Sequence, residues 1–63
     1  MDRRVALRKA IDHFGISKTA DLVEKSPEAV LAFCAGVRQL NSTVEWIERR
    51  VDALIVANIL EAS

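Results

Sequence analysis

The residues that could do covalent chemistry are few. Cys34 is the only cysteine and His13 the only histidine, so they are the one thiol and imidazole that could pair as nucleophile and base. Cys34 lies in the stripe Val30, Phe33, Cys34 and Val37, spaced i, i+3, i+4 and i+7, which is the packed face of a helix. A thiol on that face is a structural filler. His13 sits near the end of a helix, where its cation is favoured by the helix dipole, and has no second histidine with which to hold a metal. There is no glycine-rich phosphate loop. The carboxylates mostly neighbour basic residues at helical spacing, Glu45 with Arg49 and Asp21 with Lys25, as surface pairs worth a few tenths of a kcal/mol. No catalytic residue, metal site or cofactor is expected, and the chain is not expected to be an enzyme.

The elements that carry these residues belong to one small domain, 1–63. Sixty-three residues, half of them apolar, with two glycines and one proline, describe a compact helical domain. Nine Lys and Arg balance nine Asp and Glu, so broad electrostatic attraction to nucleic acid is not predicted and any basic patch must be local. A lone cysteine fits a reducing compartment, and neither a signal peptide nor a membrane-length apolar run is present; a cytoplasmic protein is expected.

Punctuation and periodicity predict an all-α, four-helix architecture. Asp2 caps a first helix within 1–15, with Leu7, Ala10, Ile11 and Phe14 inward and Gly15 as its stop. Residues 17–36, SKTADLVEKSPEAVLAFCAG, read as a short helix, a turn and a second helix. Ser17 and Ser26 are the expected caps, with Pro27 at a first helical position. The last helix spans 42–62. Ser42 and Glu45 form a capping box, and nothing breaks the pattern from 43 to about 61, roughly 28 Å of helix.

The stretch ALIVANIL near the end of this helix is apolar almost all round and needs cover on every side. A second copy of the chain is the expected cover, making this a dimerisation helix. Val44, Ile47, Val51, Leu54, Ile55, Asn58 and Ile59 form the expected interface, with Asn58 at a register-setting position. The alternative is that the C-terminal turn folds back over the domain's own core.

The motif Lys18-Thr19-Ala20, Val23, Ser26-Pro27, Ala29-Val30 and Phe33 resembles the helix-turn-helix of phage and plasmid regulators of the lambda repressor, Cro and CII kind. LRKAIDHFGISKTA is also similar to the opening of CII-like proteins. The resemblance implies a homodimeric transcriptional regulator whose second motif helix enters the major groove of double-stranded DNA. Carried over by position, it points to Lys18, Thr19, Lys25, Ser26, Glu28, Arg38 and Gln39 as DNA-contacting residues. Two departures stand out. No Arg, Lys, Gln or Asn occupies the second motif helix before Arg38, and Glu24 stands where the family usually has glycine. The alternative expectation is therefore an inhibitor or adaptor that binds a regulatory host protein through the apolar face Leu22, Leu31, Ala32 and Ala35.

Overall fold

The computed structural model describes residues 2–61. The outermost positions of the expected first and last helices, residues 1 and 62, lie outside the described residues. Four helices, α1 (Arg3–Phe14), α2 (Ile16–Val23), α3 (Pro27–Ala35) and α4 (Asn41–Val56), each pack against the other three, and no strand occurs among the described residues. The all-α expectation is met. Among the described residues, no helix is long and apolar enough to cross a membrane.

Helix α1 starts as its sequence dictates. The Asp2 carboxylate accepts from the Arg4 amide at 2.9 Å and the Val5 amide at 3.4 Å. Gly15, at φ 88°, ends it and also begins α2. Its N–H donates to the Ile11 carbonyl, while its own carbonyl accepts from the Thr19 amide at 3.1 Å and the Thr19 hydroxyl at 2.8 Å. Ser17, the expected cap, is therefore inside α2, because the short Gly15 junction already supplies the first turn's acceptor. Helix α3 follows the expected chemistry, with the Ser26 Oγ accepting from the Ala29 amide at 3.2 Å and Gly36 closing it at φ 75°.

Helix α4 departs from expectation at both ends. Leu40 is its N-cap and makes no side-chain bond, so the Ser42–Glu45 capping box is not formed; the helix starts two residues too early for Ser42 to act as a cap. It stops at Val56 after 16 residues, about 24 Å, and not near residue 61. Asn58 turns left-handed at φ 61°, and the Ile59 amide reaches back to the Leu54 carbonyl at 2.9 Å. The reversal drops Leu60 into the core at 6 % exposure, where full burial of such a side chain is worth about 1.5–3 kcal/mol.

One core receives all four helices. Leu7, Val23, Val30, Ile47 and Val51 have no exposed surface at all, with Ala6, Ala10, Ala20, Phe33, Cys34 and Leu54 around them. Three residues of the expected dimer interface, Ile47, Val51 and Leu54, are thus covered by their own chain, with Val44 and Ile55 half-buried against the same core. Asn58 lies outside the helix and fixes no helical register. Ile59 is 45 % exposed and Val56 83 %. Val37, expected on the packed face of α3, follows Gly36 and points outward.

Arginine side chains of α1 tie the helices together. Arg3 grips Asp52 of α4 with two parallel bonds of 2.9 and 3.0 Å and lies 3.7 Å from Glu48. The hydrogen bond from Arg3 holds the Asp52 carboxyl below its ordinary pKa, and the same contact raises that of Arg3. Arg8 donates to the Cys34 carbonyl, and the Arg4 guanidinium lies 3.8 Å from where a Gly36 Cβ would stand. Both charges sit at the C-terminal end of α3, where its dipole favours them.

Candidate functional site

The surface that the sequence singled out is built on α2, the turn of residues 24–26 and α3. The turn is a six-to-one closure: the Lys25 amide donates to the Ala20 carbonyl and the Glu24 amide to the Asp21 carbonyl, each at 3.2 Å. Glu24 provides the left-handed residue that this closure requires, at φ 59° and ψ 39°, a conformation costing a non-glycine residue about 1–2 kcal/mol. The position flagged in the sequence as an unusual glutamate thus has the left-handed backbone that glycine favours.

Side chains from α4 hold this turn. The Trp46 indole N–H donates to the Val23 carbonyl at 2.9 Å, and the Arg50 guanidinium donates to the Leu22 carbonyl at 2.9 Å. These are carbonyls at the end of α2 that no helical amide reaches. Arg50 also lies 3.4 Å from the Glu24 carboxylate. The Lys25 ammonium stands 5.7 Å from the Trp46 ring centroid, so Lys25 leans on the indole face and not on Asp21.

The seven expected DNA contacts separate into two groups. Thr19 is 1 % exposed with its hydroxyl bonded to Gly15, so the expectation that it reaches a phosphate is corrected: it completes the α1–α2 junction. Gln39 is half-buried, donating to the Ala29 carbonyl at 3.0 Å, and braces the connector of residues 36–40 against α3. The Ser26 Oγ is engaged as the α3 cap, although the residue itself is exposed. Lys18, Glu28 and Arg38 are exposed, and Lys25 is half-buried on Trp46. The Lys18 ammonium lies 5.8 Å from the Phe14 ring centroid. Among the described residues, neither Lys18, Lys25 nor Arg38 is in an ion pair. Arg38 and Arg4 line one open groove, of about 500 Å³, with Gly36 and Gln39.

The apolar face also divides. Leu22 is half-buried and packs on the core, correcting its expected exposure. Leu31 is 50 % exposed, Ala35 is exposed and Ala32 is half-buried. Beyond α3, Val37 and Leu40 are also exposed.

Burial pushes the Cys34 thiol above its ordinary pKa, partly offset by the charges of Arg8 and Arg4. The His13 ring packs edge-on against Phe14 at 4.7 Å. Among the described residues, no group of three or more His, Cys, Asp or Glu is placed to hold a metal ion.

Sequence reasoning missed Trp46 and Arg50. Neither was singled out as a functional residue, and only the proximity of the α2 carbonyls gives them their role. Compared with known proteins, the chain matches no family model, no curated protein and no solved structure.

Proposed function

We propose that α2, its turn and α3 act as a helix-turn-helix that docks on double-stranded DNA, in a small regulator of the phage and plasmid kind that the sequence resembles. The observation that carries this reading is the exposed start of α3 at Ser26, Pro27 and Glu28 beside Lys25, on a chain where Lys18 and Arg38 are also exposed and none of these three cations is in an ion pair among the described residues. The left-handed Glu24 closure gives α2 and α3 the joint that such a motif needs. Contacts to phosphate dominate, because α3 offers base edges only Glu28, for a cytosine amine, and Leu31 and Ala32, for a thymine methyl. Sequence discrimination is therefore modest. In the C-terminal segment expected to meet a second copy of the chain, the large apolar side chains left exposed are Val56 and Ile59, not Ile47, Val51 and Leu54.

Fluorescence anisotropy with a labelled duplex at low salt tests the reading. With three phosphate contacts, log affinity should fall against log salt with a slope of about −2.7. Replacing Lys18 and Arg38 by alanine should reduce the slope to about −0.9. A wild-type chain that does not bind, or a slope untouched by the double substitution, overturns it.

A second reading rests on the 50 % exposure of Leu31 and on the exposure of Ala35, Val37 and Leu40. On that reading α3 covers an apolar groove of a regulatory protein. Absence of duplex binding at low salt, with a folded chain, favours it over the first.

A further inference from the structure

We infer that Arg50 is a positioning residue for the proposed DNA contact: it holds the turn before α3 and withdraws the Glu24 charge from approaching phosphate. The inference rests on the helix-turn-helix reading above. Glu24 adjoins Lys25 and Ser26 at the entrance to α3, and the residue is exposed. Left alone, that charge opposes the attraction of Lys25 and Lys18 for the same polyanion. The Arg50 guanidinium, brought across from α4, lies 3.4 Å from it while donating to the Leu22 carbonyl at 2.9 Å.

Two details separate this from an ordinary surface pair. Glu24 has its backbone locked at φ 59°, so its side chain leaves the turn from a fixed root. The Arg50 Nε is buried with no hydrogen-bond partner, so the guanidinium occupies a partly desolvated place at some cost. The acceptors it reaches there are the end of α2 and the Glu24 carboxylate. An apolar side chain would fill the space without that cost, but would leave both the carbonyl and the carboxylate unmatched.

The test measures duplex affinity by anisotropy and melting by circular dichroism on the full chain. Arg50→Gln, which exposes the Glu24 charge, should bind about fivefold more weakly, in keeping with an exposed charge pair. The double variant Glu24→Gln with Arg50→Gln should return to within about twofold of wild type, since no net charge is left to repel phosphate. Its melting temperature should nevertheless stay low, because the Leu22 carbonyl still lacks its donor. Recovery of binding without recovery of melting is what a purely structural role of Arg50 does not produce.

Glu24→Gln alone keeps Arg50 in place and serves where Arg50→Gln does not fold. It should tighten binding by less than about twofold, as the carboxylate is already matched. A gain of about fivefold or more would show Glu24 acting unscreened and overturn the inference. So would a double variant that binds as weakly as Arg50→Gln, or an Arg50→Gln chain that binds like wild type; in either case the DNA reading stands. A wild-type chain that binds no duplex overturns both.

Discussion

Two helices of this protein end on a residue other than glycine in the left-handed region, Glu24 after α2 and Asn58 after α4. Their backbones close identically. Lys25 returns to Ala20 and Glu24 to Asp21, just as Ile59 returns to Leu54 and Asn58 to Ile55. What enforces the closure differs. Asparagine tolerates this conformation, and the chain beyond Asn58 is drawn back by an apolar anchor, Leu60. Glutamate does not favour it, and polar anchors from another helix, Trp46 and Arg50, hold it there. The second turn follows from its own residues and the core beside it. The first is imposed from outside, and it is the one that presents the candidate surface.

Four substitutions break or sharpen this contrast. Leu60→Ala removes the apolar anchor of the second turn and should lower stability by about 2–4 kcal/mol in urea denaturation. A loss below about 1 kcal/mol would mean that burial does not hold that turn. Trp46→Phe keeps most of the ring but leaves the Val23 carbonyl without its donor, for an expected loss of about 1–2 kcal/mol. No single polar deletion at the second turn should match it. Glu24→Gly relieves the left-handed backbone and should raise stability by up to about 1 kcal/mol, even with the Arg50 contact gone. Asn58→Gly should change stability by no more than about 0.5 kcal/mol. Equal gains at the two positions in differential scanning calorimetry would erase the distinction between them.

The same contrast shows how far the sequence is readable. The first helix and the start of α3 are legible because caps and stops act within a few residues: Asp2 on Arg4, Ser26 on Ala29, Gly36 after Ala35. The inward stripes of Leu7 and Ala10, of Ala20 and Val23, and of Val30, Phe33 and Cys34 are legible from spacing alone. The end of α4 is not. ALIVANIL has helical periodicity straight through Asn58, and the competing conformation wins only because Leu60 finds a place beside Ala6 and Ala10 of α1. A local pattern carries no record of that distant cavity. The candidate surface is legible in part for the same reason. Lys18, Glu28 and Arg38 stay outside, but Thr19 and Gln39 have carbonyls within reach that no spacing rule announces.

The amino-acid order alone therefore determines the helical class, most of the core stripes, the capped entrance to α3 and the left-handed demand at Glu24, because each depends on neighbours within about a turn or two of the chain. Tertiary structure decides where α4 stops, that Ile47, Val51 and Leu54 serve a core within one chain, and that Trp46 and Arg50 hold the turn before α3. Those outcomes depend on which carbonyl, carboxylate or apolar surface a remote segment brings within a few ångströms. Hydrogen bonds and burial act at that range, whatever the separation along the chain.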